Sequence, residues 1–397
     1  MRFLKDIDVK GKKLIIRVDY NVPLDGTRVT DDTRIRESLP TLRHALEAGA
    51  AVVLCCHFGQ PKGERKPELS LAPVAAHLSG LLGMSVPLAP DCIGPEVQAL
   101  KDGLKPGGVL MLENLRYHKA ETSKDAAERE AFAKLLVAGM DVYVSDAFGV
   151  AHRPNASVTE APKAAPVACA GFLMEKEYNF LQVNLAKPAR PYVAVSGGSK
   201  VSSKLGILKN LLGKVDHLII GGAMANTFRL AQGIDMGDSL VERELLDEAR
   251  AILEAAPDNN THLHLPVDFV LADNFKAEKA AVASHTGAIP AGMMALDIGP
   301  KSVLNFADIL KKAKTVVWNG PMGAFENPAF AAGSIGVAKA IVDSGAMSIV
   351  GGGDTDAVVH LAHLGERFSF ISTGGGSFLE FLEGKELPGF KALEECS

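Results

Sequence analysis

"SIVGGGDTDAV", Ser348–Val358, runs from a short apolar stretch into three glycines and then an Asp-Thr pair. A glycine triplet exposes backbone and loses much conformational freedom on folding, so its place at the end of a strand-like run asks for a reason. The same punctuation closes "AVSGGSKVSSK" from Ala194, "LIIGGAMANTF" from Leu218 and "FISTGGGSFLE" from Phe370. Working outward, β-prone runs recur along the whole chain. The first half has "KKLIIRVDY", "AAVVLCCHF", "GGVLMLENL" and "MDVYVSDAF". The second has "RPYVAVSGG", "VDHLIIGG", "THLHLPVDF", "KTVVWNG", "MSIVGGG" and "FSFISTGGG". Helical patterns lie between them, as at Asp125–Met140, Ser239–Ala256 and Phe330–Ser344. Continuous apolar strands alternating with helices indicate parallel sheets covered on both faces. The fold class is α/β, with two doubly wound parallel-sheet domains.

Leu173–Ala186, "LMEKEYNFLQVNLA", places apolar residues at Leu173, Met174, Tyr178, Leu181 and Leu185, a helical spacing. Upstream, "EAPKAAPVACAG" reads as a proline- and alanine-rich approach, and downstream "KPARP" stops the helix. The expected organisation is therefore a first domain over 1–172, a connecting helix over 173–187 and a second domain over 188–382. The tail, 383–397, is expected to reach back to the first domain.

The chain has 397 residues, more than a single core usually organises. Its 47% hydrophobic and 22% charged content is ordinary for a globular protein. A formal net charge of −5 argues against nucleic acid or an anionic membrane as the main partner. The start lacks an apolar signal region, and no stretch reaches the roughly 18 apolar residues of a membrane span. Five cysteines, Cys55, Cys56, Cys92, Cys169 and Cys396, show no CxxC pair, as expected of thiols in a reducing cytoplasm.

Ligands of open α/β sheets sit beyond the carboxyl ends of the strands. In the first half these ends carry Asp19 and Asn21 in "RVDYNVP", His57 in "CHFGQP", Arg116 in "ENLRYH" and Arg153 in "AHRP", with Arg34 at a helix start. Guanidinium groups arriving from separate strands suit a small polyanion. Singly, each has a plainer reading: solvated helix-start arginines, an ion-pair partner, a core histidine, an Asx turn at Asp19. In the second half the ends are glycines. There backbone N–H groups and a helix dipole favour phosphate. Asp354 either holds magnesium beside phosphates or caps a helix. Thr355 adds a hydroxyl. Lys200 and Lys204, four apart, either flank an anion on one helix face or form a solvated edge. Glu326 either accepts from ribose hydroxyls or is a loop charge. Neither GxxxxGK[ST] nor GxGxxG after a strand is present, which excludes a Walker-type loop and a dinucleotide fingerprint. His360 and His363 read as one helix face.

Taken together, "RVDYNVP", "ENLRYH", "AHR", "GGSKVSSK", "PVDFV", "VVWNGPMGAFE", "GGGDT" and "STGGGSFLEFLEG" resemble the phosphoglycerate kinase family, in order, from residue 17 to residue 384. The resemblance implies two Rossmann-like domains joined by a helix and hinge, and a cytoplasmic monomer. It implies reversible phosphoryl transfer between 1,3-bisphosphoglycerate and ADP, giving 3-phosphoglycerate and ATP. By position it assigns Asp19, Tyr20, Asn21, Arg34, His57, Phe58, Gly59, Gln60, Arg116 and Arg153 to the phosphoglycerate. Lys204, Glu326, Gly352, Gly353, Asp354 and Thr355 fall to the nucleotide, with Asp354 on Mg2+. Arg34 and Lys200 are the implied catalytic cations. Gln60 departs from the family's usual arginine and drops a charge. Gln60→Arg is expected to lower the Michaelis constant for 3-phosphoglycerate by about fivefold, the equivalent of one exposed charge contact; an unchanged constant would remove the idea. Ser203 stands where some members carry aspartate. Two other readings share the architecture. A nicotinamide-dependent dehydrogenase lacks its glycine fingerprint here, and a two-domain solute-binding protein lacks an export signal and has no use for a second phosphate cradle.

Overall fold

The computed structural model describes residues 1–396. They fall into two compact units, Met1–Gln182 together with the residues from Glu386 onward, and Val183–Lys385.

The first unit is built on a five-stranded parallel sheet of β1 (Lys13–Val18), β2 (Ala51–Cys55), β3 (Val109–Met111), β4 (Val142–Asp146) and β5 (Val167–Ala170). Their order is β3-β2-β1-β4-β5. Ile16 lies opposite Leu54 on one side and Val144 on the other. Helices cover both faces, so nearly every strand residue is buried, and Ile16, Val18, Leu42, Leu54 and Val144 share one core. Full burial of each such side chain stabilises by about 1.5–3 kcal/mol. Winding reverses between β1 and β4, which makes their carboxyl ends the switch point where ligands bind in such sheets.

The second unit repeats the plan. Its main sheet holds β6 (Tyr192–Ser196), β7 (His217–Ile220), β8 (His262–His264), β12 (Thr315–Asn319), β13 (Met347–Val350) and β14 (Phe370–Ile371) in the order β8-β7-β6-β12-β13-β14. Trp318, Phe306, Val337 and Val350 lie in its core. The switch point falls between β6 and β12. Beside it, β9 (Phe269–Ala272), β10 (Val282–His285) and β11 (Met294–Ile298) make a small antiparallel sheet, order β10-β9-β11.

Five local expectations change. His363 falls past the end of the helix Gly353–Leu361, at a φ of +53°, so it shares no helix face with His360. The stretch "EAPKAAPVACAG" contains β5, whose last residues are buried beside β4. The single run "THLHLPVDF" divides at Pro266, which lacks the N–H a continuing ladder needs; its halves join different sheets. The helix expected over Leu173–Ala186 is Phe172–Tyr178, continued by a π-helical turn over Asn179–Asn184. Lys200 and Lys204 do not share a helix face, because the helix begins only at Leu205. The preceding turn is held by polar contacts instead: Ser203 Oγ donates to the Lys200 carbonyl at 2.9 Å, and Ser202 is bound by Glu242.

Candidate functional site

The carboxyl ends of the first sheet bring the expected cations together. Arg34, from the helix Thr33–Glu47, donates to Asp19 Oδ2 at 3.2 Å and to the Asn21 carbonyl at 3.0 Å. Gly59 ties two strand ends to each other. Its N–H donates to Asn21 Oδ1 at 2.9 Å, and its carbonyl accepts from Arg116 at 2.8 Å. A side chain at Gly59 meets two obstacles, a φ of +56° and a Cβ position 2.7 Å from Leu69. His57 is buried, and Arg17, Arg116, Arg153 and Arg34 all bear on it. Burial first, then those guanidiniums, hold its imidazole well below the usual histidine range. Burial also lowers Arg116 to about 10, with Arg153 and Arg17 adding repulsion. Such a gathering of positive charge is relieved by an anion.

Three residues of this site escape a strand-end reading. Arg17 lies within β1 and is fully buried. It donates to the Val18 carbonyl at 2.7 Å, to Ser157 Oγ at 3.2 Å and to His57 Nδ1 at 3.3 Å. A guanidinium only donates, so Nδ1 accepts and neutral His57 carries its proton on Nε2. Glu121, buried 4.0 Å from Arg17, accepts from both the amide and the hydroxyl of Ser157. Asn114, also buried, accepts from the Phe58 and Arg116 amides and donates to the Phe58 and Leu69 carbonyls. It fixes the turn Leu115–Tyr117 against the loop after β2. Tyr20 and Phe58 point into the core, the Tyr20 hydroxyl lying 2.7 Å from Ser38 Oγ, so neither side chain adds a polar group. Gln60 and Arg153 are exposed.

In the second unit the glycine-ended strands serve two purposes. At the switch point, loops pack backbone on backbone. Gly198 N–H donates to the Pro321 carbonyl at 2.9 Å, and Gly222 N–H to the Met322 carbonyl at 3.0 Å. A Cβ on Gly197 would come within 2.1 Å of the Pro321 carbonyl oxygen, and one on Gly320 within 2.2 Å of that of Gly197. These glycines permit the loops to touch. Gly353 differs, since nothing lies within 4 Å of where its Cβ would be. It opens the helix Gly353–Leu361, whose N-cap is Gly352 at φ +99°. Asp354 is therefore not the cap; it sits exposed in the first turn, where the helix dipole favours anions. Thr355 is buried, and its hydroxyl accepts from Gly320 N–H at 2.6 Å. Burial lowers the Lys204 ammonium to about 8, with Asp354 and Glu383 pulling it back up. Lys200 and Glu326 are exposed on the loops after β6 and β12.

Residues 4–385 match the family model for phosphoglycerate kinase. A phosphoglycerate kinase of Maridesulfovibrio salexigens is 56% identical over 398 residues, covering 100% of both chains. One of Desulfosudis oleivorans is 52% identical and covers 99% of each. Among solved structures, phosphoglycerate kinase from Coxiella burnetii superposes with a TM-score of 0.90 at 42% identity, over 99% of this chain and 98% of that one. The enzyme from Pyrococcus horikoshii gives 0.85 at 32% identity, over 100% and 99%. Motifs, fold and relatives agree along nearly the full length, and the chain belongs to the phosphoglycerate kinase family.

Proposed function

We propose that the cationic strand ends of the first unit bind 3-phosphoglycerate or 1,3-bisphosphoglycerate and the glycine-ended strands of the second bind ATP or ADP. The chemistry is the kinase reaction of glycolysis, reversible phosphoryl transfer between 1,3-bisphosphoglycerate and ADP. The observation that carries this reading is the cationic surroundings of buried His57, whose Nδ1 is bonded to Arg17 and which also feels the charges of Arg116, Arg153 and Arg34. Asp19, Asn21, Arg34, Arg116, Arg153 and the Nε2–H of His57 hold the acid, with Gln60 at the rim and Tyr20, Phe58 and Gly59 shaping the backbone. Lys204, Glu326, Gly352, Gly353, Asp354 and Thr355 take the nucleotide, and Lys200 the oxygens of the transferred group.

A single carboxylate on a phosphate-binding turn fits Mg2+, which commonly binds one or two carboxylates together with substrate phosphates. Asp354 would hold it. When bound, the ion neutralises phosphate charge. The chain's own part is to position donor and acceptor in line and to place cations where charge spreads. Arg34 balances the group in flight, and Lys200 meets it from the nucleotide side. Each such group contributes about 2–4 kcal/mol to lowering the barrier. Transfer needs the two ligands in register, so we take hinge closure about the segment near residues 173–187 to be part of turnover, with water expelled from the acyl phosphate. We also take the chain to be cytoplasmic and monomeric; light scattering in solution tests the oligomeric state. Among the described residues no helix is long and apolar enough to cross a membrane.

The test is a coupled assay with 3-phosphoglycerate, ATP and Mg2+. Turnover should fall by about 10²–10³ in Arg34→Ala. Asp354→Ala should lose Mg2+-dependent nucleotide affinity. Unchanged turnover in both would overturn these assignments.

A further inference from the structure

Outside these two sites, one group of side chains in the first unit has the chemistry of a metal centre. Asp91, Cys92 and His118 each place one donor atom, an oxygen, a sulfur and a ring nitrogen, within 4.8 Å of the other two. Cys92 is buried, whereas Asp91 and His118 are about one-third exposed, at 34% and 28% of their side chains. The sulfur thus forms a floor and the harder donors the rim of a cluster open on one side. His118 Nε2 lies 2.7 Å from Asp91 Oδ1, which also accepts from the Cys92 amide at 2.7 Å. Zinc legs of about 2.0–2.3 Å at tetrahedral angles separate donor atoms by roughly 3.3–3.6 Å. The His118–Asp91 pair need open by only about 0.6–0.9 Å to admit an ion in place of the shared proton.

We propose that Asp91, Cys92 and His118 form a site for one divalent ion of the zinc class, with a fourth position open to water. Sulfur, imidazole and carboxylate together select Zn2+ or Co2+ over Mg2+, which prefers oxygen alone. On binding, the Cys92 S–H bond breaks, its proton goes to solvent, and the thiolate pair forms the metal–sulfur bond. The His118 proton on Nε2, shared with Asp91 Oδ1, moves by way of solvent to Nδ1, which frees the Nε2 lone pair for the ion. No change of oxidation state is involved. One native group opposes the ion. Arg65 approaches Asp91 Oδ2 at 3.5 Å, is bonded to the Pro90 carbonyl and lies over the Tyr117 ring. Binding brings two positive charges toward that guanidinium, so Arg65 and the ion compete for Asp91. His118 directly follows the turn Leu115–Tyr117 that presents Arg116. An ion here grips the base of that turn without touching the anion-binding groups.

The experiment titrates the full chain with Co2+ and then displaces it with Zn2+, reading the thiolate-to-cobalt charge-transfer band and the visible bands of tetrahedral cobalt. One equivalent should produce both. Cys92→Ala should abolish the charge-transfer band, His118→Gln should weaken binding at least about tenfold, and Arg65→Gln should strengthen it. Cys396→Ser, at the one partly exposed thiol among the described residues, should leave the spectrum intact. Absence of a thiolate band, or its survival in Cys92→Ala, would overturn the proposal. So would equal affinity in His118→Gln and the unaltered chain. None of these readouts depends on phosphoryl transfer.

Discussion

His57 and Thr355 each commit a polar atom inside the protein before any ligand arrives. His57 is buried neutral, so the unfolded chain takes up its proton near pH 6.5 while the folded chain resists. More protons on the unfolded side mean that stability rises with pH across that window. Its contribution is intact above about pH 6.5 and is lost as pH falls toward the lower folded value. Urea midpoints at pH 7.5, 6.5 and 5.5 should drop less steeply in His57→Gln than in the unaltered chain; parallel slopes would show that His57 titrates normally. Thr355→Val removes the acceptor for the Gly320 amide and should cost about 1–3 kcal/mol, while Thr355→Ser keeps the bond and should stay near the original stability. Most candidate site residues were legible at this scale because polar side chains directly after apolar runs stand out. Arg17 and Asn114 were not. Arg17 sits inside a run buried on both faces, where no alternation reports direction, and Asn114 looks like any turn asparagine until its four hydrogen bonds are seen.

Strands and helices here are joined by a few buried carboxylates as well as by apolar packing. Asp146, at the end of β4, accepts from the Leu173 and Met174 amides at 3.0 and 3.3 Å and so anchors the start of the helix Phe172–Tyr178. Its carboxyl is pushed up to about 7 by burial, partly offset by these donors. Asp146→Ala should lower stability by about 1–3 kcal/mol, read as a shift in denaturation midpoint, because two helix-end donors lose their partner. An unchanged midpoint would mean that water satisfies them. The alternating rhythm of runs was enough to predict both main sheets, since parallel strands covered on both faces are continuous apolar blocks. The antiparallel sheet was harder. Val282–His285 is largely exposed and carries no apolar block. β5 was masked by the prolines and alanines before it. Proline at 266 gave the one clear cue that the run beside it breaks.

The chain enters the second unit once and returns once, at Gln182–Val183 and Lys385–Glu386. The returning helix, Pro388–Glu395, completes the first unit. Phe390 stacks on Phe148 at 5.6 Å and meets the edge of Tyr178 at 5.3 Å. Gly389 N–H donates to the Ala151 carbonyl at 2.8 Å, two residues before Arg153. Ending the chain at Lys385 should destabilise the first unit and raise the Michaelis constant for 3-phosphoglycerate more than that for ATP. Equal changes in both would count against a local role for the tail. This order of connection also sets a schedule for synthesis. Domains generally fold as units while the ribosome is still extending the chain. The second unit is contiguous and can finish during translation. The other must wait with an open socket under Ala151 until the helix Pro388–Glu395 has left the exit tunnel. A nascent chain therefore acquires its complete arginine cluster only after the contiguous unit has been made.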